Sequence, residues 1–306
     1  MFKYSAVCDT LRFLGWDIAE DPQGLLTAIK NAGYVGCDLP CDDRIKASEF
    51  LPIIESLGLN IAAVQGVWGY SHAGKSRDLA GPDEEARRGG IEHAKEAVDL
   101  AVELGAECFQ VCAPQPGVPQ FLFPDLPIQT LRSTFLESLK EICEYAGERN
   151  ITILLEPVNA HEAYPGVLTN IPEAISLIQE LGLDNMGIQP DIYHMNIADG
   201  PISDALRAAG NLIKHVHVNE TNRYGLGTGH ADYTAILRTL KELDFTGYLA
   251  IYMPLVSQEV FHMSRLGYGG FRSAASQSDK TDRPDPALYL EKSIQYLKDI
   301  EEVIAS

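Results

Sequence analysis

The chain has 306 residues, 45% of them hydrophobic, which is enough apolar side chain for one large core. Its 43 acidic residues against 24 basic ones give a formal charge of −19, which argues against nucleic acid or an anionic membrane as a partner, because both need a basic face. No uncharged apolar run approaches the length of about 18 residues that a membrane span needs, and the start, Met1-Phe2-Lys3-Tyr4, is not followed by the apolar core and cleavage site of a secretory signal. The six cysteines lie mostly in apolar runs. The C-x3-C spacings Cys37…Cys41 and Cys108…Cys112 have strand-like flanks, which favours buried free thiols in a reducing, cytoplasmic compartment over a zinc site.

Along the chain, short apolar strands alternate with amphipathic helices. A strand over Tyr4–Cys8 ends at Asp9 and is followed by a helix Gln23–Ala32, closed by Gly33. Strand Val35–Cys37 leads to Asp38 and helix Ala47–Leu57; strand Asn60–Val64 leads to Gln65 and a long helix, Asp83–Leu104, whose acidic start suits a positive helix N-terminus. Strand Cys108–Cys112 enters a loop with four prolines between Pro114 and Pro124, then helix Leu131–Glu148. The remaining pairs are Ile151–Leu155 with Ile171–Leu181, Met186–Ile188 with Ile202–Ala209, Leu212–Val216 with Tyr233–Leu243, and Tyr248–Ile251 with Ala287–Ile304.

Strands alternating with helices imply a parallel sheet, and eight such units in this length predict a single (β/α)8 TIM barrel rather than a doubly wound sheet. No G-x-G-x-x-G follows the first strand, and no linker divides the chain, so residues 1–306 are expected to form one domain. A long loop follows the eighth strand. Residues 253–284 carry Gly267, Gly269 and Gly270 beside Phe261, His262, Tyr268 and Phe271. Leaving the C-terminal face of a barrel, this insertion is expected to act as a lid or a partner-docking element.

In such barrels function sits at the C-terminal strand ends. Here those positions are Asp9, Asp38, Gln65, the Cys112–Gln115 corner, Glu156, Asp191, His217 and Tyr252. Asp9 and Asp38, taken singly, read as helix N-caps or loop hydrogen-bonding groups. Glu156, Asp191 and His217 together form a carboxylate–carboxylate–imidazole set suited to Mn²⁺, Co²⁺, Mg²⁺ or Zn²⁺. His215 and His217 leave one face of their strand, with His217 nearer the mouth and His215 a supporting or core group. His194 can orient Asp191, bind substrate or pack, and His161 and Glu162 follow Glu156 on its loop. A cation of this kind holds adjacent oxygens of a keto-sugar and lowers the cost of a developing enediolate, while a carboxylate or histidine beside it takes the carbon-bound proton.

The runs Leu155-Glu156-Pro157-Val158-Asn159, Gln189-x-Asp191-x-Tyr193-His194-Met195-Asn196, His215-Val216-His217-x-x-x-x-Asn222-Arg223 and Gly227-Thr228-Gly229-His230-x-Asp232 resemble the xylose isomerase-like sugar isomerase/epimerase superfamily, most of all its ketose 3-epimerases and 3-oxo-glycoside epimerases. The likeness is loose over the whole chain and strong over Ile151–Ile251. It implies that Glu156, Asp191 and His217 are three of four ligands to one divalent metal, Mn²⁺ foremost, and that Glu156 is also one of two acid/base carboxylates. It implies that Glu162, His194 and Arg223 bind substrate oxygens; Gln115 and His262 join them as candidate substrate-binding positions. The chain departs from the pattern at the last strand, where the family's fourth ligand and second acid/base glutamate is replaced by Tyr252. It departs again after the fifth strand, where the usual asparagine–arginine pair is Asn159-Ala160. Tyr252 and the loop residue His161 are therefore added to Glu156 as candidate catalytic groups.

The resemblance implies a small-molecule sugar or glycoside substrate and an isomerisation or epimerisation. It also implies a homo-oligomer or a complex with a small partner subunit. The alternative is a lyase that expels an aglycone from a 3-oxo-glycoside by elimination, resembling the C-glycoside deglycosidase catalytic subunits. A barrel that binds sugars without chemistry is the third reading.

Overall fold

The computed structural model of the chain describes residues 1–70, 76–112, 127–161, 167–254 and 284–305. Eight strands run through it: β1 (Lys3–Val7), β2 (Gly36–Pro40), β3 (Asn60–Gln65), β4 (Cys108–Cys112), β5 (Thr152–Glu156), β6 (Met186–Ile188), β7 (His215–Val218) and β8 (Tyr248–Ile251). All their pairings are parallel, in the order β6-β5-β4-β3-β2-β1-β8-β7. Two parallel bridges, Ile188 to Ile213 and Asp191 to His217, join the ends of that order. They are carried by Lys214 N–H on the Ile188 carbonyl at 3.1 Å and His217 N–H on the Pro190 carbonyl at 2.9 Å. The sheet thus closes into the (β/α)8 barrel that the alternation predicts.

The helices between strands are α1 (Pro22–Asn31), α2 (Ala47–Leu57), α3 (Glu84–Leu104), α4 (Ile128–Gly147), α5 (Ile171–Leu181), α6 (Ile192–Ala198), α7 (Ile202–Ala209), α8 (Tyr233–Glu242) and α9 (Pro286–Ala305). Their ends follow capping chemistry. The Asp83 carboxylate accepts from the Glu85 and Ala86 amides at the start of α3, and Asn170 accepts from Glu173 at the start of α5. Gly58, Gly105 and Gly182 close α2, α3 and α5 in the left-handed conformation. Leu39, Val64, Phe109, Val111, Ile153, Leu155, Val216 and Leu249 are buried along the strands, as expected where helices cover the outside of the sheet and side chains fill the inside. All six cysteines are buried and none is bridged. No helix among the described residues is long and apolar enough to cross a membrane.

Three local differences from the sequence reading bear on function. Strand β2 continues through Asp38 to Pro40, and its register against β3 shifts between Cys37 and Asp38. A bulge of this kind re-aims a side chain. Strand β7 starts at His215, three residues later than the apolar run Leu212–Val216 suggests, because Gly210–Leu212 form a 3-10 turn. Both histidines therefore lie inside the strand. Finally, a short helix, α6, stands between β6 and α7, where the sequence reading gives only the helix Ile202–Ala209. Most of the 253–284 insertion, residues 255–283, lies outside the described residues.

At Gly247, just before β8, a Cβ would sit 2.0 Å from the Lys214 carbonyl oxygen and 2.6 Å from the Phe245 ring. Backbone cannot move aside as a flexible side chain can. Gly247→Ala is expected to lower unfolding free energy by about 1–3 kcal/mol in urea denaturation; an unchanged midpoint would show that the two strands are not held that tightly.

Candidate metal centre and substrate mouth

Glu156, Asp191 and His217 come from β5, the end of β6 and β7, and they meet. His217 Nδ1 lies 2.9 Å from Glu156 Oε1 and 3.9 Å from Asp191 Oδ2. All three side chains are buried, Glu156 at 5%, Asp191 at 0% and His217 at 1% exposure. Asp191 is also the N-cap of α6: its Oδ1 accepts from the Tyr193 amide at 2.8 Å and the His194 amide at 3.3 Å. This consumes one oxygen and leaves Oδ2, buried and without a hydrogen-bond partner, pointing at the cluster. Glu156 is held from the other side, because the Gln110 side-chain amide on β4 donates to its Oε2.

Behind His217 stands a third carboxylate. Asp38 accepts from Ser5 Oγ at 2.9 Å on Oδ1, and from Gln65 Nε2 at 2.8 Å on Oδ2. His215 Nε2 lies 2.7 Å from the same Oδ2. The reading of Asp38 as a helix cap is therefore corrected: β2 carries it inside the barrel, fully buried, where a carboxylate must find donors. Asp9 does fit a local role, pairing with Arg12 within the 3-10 helix Cys8–Leu14. Gln189 links the two halves: its Nε2 lies 3.2 Å from Gln65 Oε1 and 3.3 Å from His217 Nδ1.

The electrostatics follow from this placement. Burial alone would push the His217 imidazolium toward neutrality. The charge of Glu156, the attraction of the Asp38 carboxylate 3.7 Å from Nε2, the hydrogen bond to Glu156 and the charge of Asp191 overcome it and raise its pKa to about 10. Burial opposes ionisation of Glu156 and Asp38 too, yet the neighbouring imidazoles hold both carboxyls below their ordinary range. Three carboxylates in a dry interior demand positive charge. Donor atoms of Glu156, Asp191 and His194 lie within 4.8 Å of one another, as do those of Asp38, His215 and His217. Two carboxylates and an imidazole around an orphaned Asp191 oxygen fit a divalent cation.

The mouth above is lined by His194, Arg223 and Tyr252. The Asn159 backbone amide, 3.4 Å from His194 Nδ1, can only donate, and the Asn159 side chain lies 2.8 Å from the same nitrogen. Each ring nitrogen of His194 thus faces a donor, Asn159 at Nδ1 and Arg223 Nη2 at 3.4 Å from Nε2. The Arg223 guanidinium lies 3.8 Å over the Tyr193 ring and 5.6 Å from the Tyr252 ring. Arg223 has φ of +62°, in a loop gathered around buried Glu220, which accepts from the amides of Thr221 and Gly227. Tyr252 stands edge-on to His217, with ring centroids 4.9 Å apart.

His161 is exposed; its amide donates to Asn159 Oδ1 at 3.0 Å. Gln115, Glu162 and His262 lie outside the described residues. Sequence reasoning missed Asn159 and Gln110 as side chains that fix others, and took Gln65 only as a strand end. The available signal was amides next to or within apolar strand runs, where an unpaired polar group would be costly.

Residues 26–299 match the Xylose isomerase-like TIM barrel family, and the chain belongs to it. Within that family it is 27% identical over 173 residues to an L-ribulose 3-epimerase of Methylomonas sp. (strain DH-1), a match covering 56% of this chain and 58% of the relative. It is 26% identical over 170 residues to a 3-dehydro-D-guloside 4-epimerase of Escherichia coli (strain K12), covering 54% of this chain and 64% of that one. The matched part thus spans less than two thirds of either relative. Among solved structures, an L-ribulose 3-epimerase superposes with a TM-score of 0.80 at 19% identity, over all of this chain and 96% of the other, which is a likeness of fold.

The raised pKa of His217 gives a signed expectation for the metal-free protein. The folded value, about 10, exceeds the ordinary unfolded value of about 6.5, so the imidazolium's stabilising contribution is complete below about 6.5 and is lost as pH climbs toward 10. In chelator, the melting temperature of the wild type should fall more steeply between those pH values than that of His217→Asn. Parallel curves would show that His217 carries no such charge.

Proposed function

We propose that the protein is a divalent-metal-dependent sugar epimerase or isomerase that enolises a keto-sugar or a 3-oxo-glycoside. The observation that carries this reading is the meeting of Glu156, Asp191 and His217 at the C-terminal mouth, with Asp191 Oδ2 buried and unpaired. The names of the similar proteins, a ketose 3-epimerase and an epimerase of a dehydro-glycoside, support the same substrate classes.

Glu156, Asp191 and His217 would hold the ion, which when bound supplies positive charge where a substrate carbonyl becomes an enediolate oxygen. Glu156 has a second task. With one oxygen fixed by Gln110, its carboxylate is presented at a set angle to take the proton from the carbon beside the carbonyl. His194 would hydrogen-bond a substrate oxygen, and Arg223, stacked on Tyr193, would add a donor with fixed direction. Tyr252 occupies the wall next to His217 where the family resemblance places a carboxylate, so Glu156 would start the reaction, with water, a loop histidine or Glu162 as the group that returns the proton.

Elemental analysis should find about one divalent ion per chain, and Asp191→Ala should lose it. With L-ribulose, D-fructose or a 3-oxo-glucoside in D₂O, the wild type should exchange the hydrogen next to the carbonyl, and Glu156→Gln should slow this by about 10²–10⁴ while still binding metal more weakly. Full exchange by Glu156→Gln would remove it as the base. Full metal content in Asp191→Ala would remove the centre.

A further inference from the structure

His217 presents two nitrogens to two different sets of carboxylates. Nδ1 faces Glu156 and Asp191 at 2.9 and 3.9 Å. Nε2 is buried, has no hydrogen-bond partner, and lies 3.7 Å from Asp38 Oδ2. That carboxylate is fixed by Ser5, Gln65 and His215, so it cannot swing away to serve another group. It sits where the β2–β3 register shifts, between Cys37 and Asp38.

An imidazole that binds a cation through one nitrogen must keep its proton on the other. A metal-bound histidine is typically oriented by a carboxylate or carbonyl that accepts that proton, and loss of the acceptor costs about 10–100-fold in metal affinity. We propose that Asp38 is the positioning residue for His217: it accepts the Nε2 proton, selects the tautomer with a bare Nδ1, and turns that nitrogen toward Glu156 and Asp191. This rests on the metal reading above. With a cation held by Nδ1, Glu156 and Asp191, the Nδ1 proton would be released to solvent and the remaining proton would sit on Nε2, the nitrogen that faces Asp38 at 3.7 Å. Ser5 holds Asp38 Oδ1 and Gln65 holds Oδ2, the oxygen that faces Nε2, while Gln189 lies 3.3 Å from Nδ1.

The test measures Co²⁺ affinity by chelator competition in wild type, Asp38→Asn and Asp191→Ala, each checked for native circular dichroism. Asp38→Asn is expected to bind one Co²⁺ per chain about 10–100-fold more weakly, with a shifted visible spectrum. Wild-type affinity and spectrum in Asp38→Asn, with the ion lost in Asp191→Ala, would overturn the role of Asp38 and leave the metal centre standing. Retention in Asp191→Ala would overturn the centre itself. Should Asp38→Asn fail to fold, the wild type loaded with Zn²⁺ and labelled with ¹⁵N-histidine decides. His217 is expected as the Nε2–H tautomer with a slowly exchanging, downfield proton, and an Nδ1–H tautomer would overturn the proposal.

Discussion

One imidazole placed between three carboxylates governs the structure of the barrel mouth. Glu156 and Asp191 lie on one edge of His217 and Asp38 on the other, all with little or no exposure. Buried charges of like sign are tolerated only where positive charge and hydrogen bonds offset their desolvation. In the metal-free protein the His217 proton meets part of that demand. A divalent cation meets it better, and Asp191 Oδ2 is a buried carboxylate oxygen with no hydrogen-bond partner.

The barrel makes this arrangement possible because parallel strands deliver their C-terminal ends to one rim. Closure between β6 and β7 matters most: the hydrogen bond from His217 N–H to the Pro190 carbonyl sets Asp191 beside His217. The amide side chains then fix each carboxylate in turn. Gln110 donates to Glu156, Gln65 to Asp38, and Gln189 reaches both Gln65 and the edge of His217. Amides suit this work, since they give hydrogen bonds without adding a charge to a site that already holds too many of one sign. At the rim, Asn159 holds the Nδ1 edge of His194, and Tyr193 gives Arg223 a flat surface on which to lie.

Much of this was legible in the sequence. The alternation of apolar runs and amphipathic helices is strong because each strand of a covered parallel sheet is nearly continuous in hydrophobic residues, and Ala47–Leu57, Cys108–Cys112, Ile171–Leu181, Met186–Ile188 and Tyr248–Ile251 coincide with the observed elements. Glu156 and Asp191 were recognisable as polar residues directly after such runs. Asp38 was not, because a carboxylate after a short apolar stretch ordinarily caps a helix, and nothing local announces a bulge that turns it inward. Strand β7 was displaced for a related reason: two histidines read as the end of an apolar run, whereas the barrel interior supplies partners that keep them within the strand. The seven-residue α6 was hidden since Asp191 serves at once as its cap and as a candidate ligand, and the helix is too short to show a periodic face.

The chemistry that follows is asymmetric. Glu156 offers a carboxylate at the cluster, while the wall formed by β8 offers Tyr252, a group with different acidity and an aromatic face toward Arg223. On the proposed reading, a keto-sugar held between them loses its proton to the carboxylate side, with its oxygens directed by His194 and Arg223. All of this depends on a cation at one place. The most direct measurement is the anomalous scattering of crystals grown with Mn²⁺: the account predicts one strong peak at about 2.0–2.3 Å from oxygens of Glu156 and Asp191 and from His217 Nδ1. A protein crystallised with Mn²⁺ in excess that shows no peak there, or shows it away from these three side chains, would contradict it.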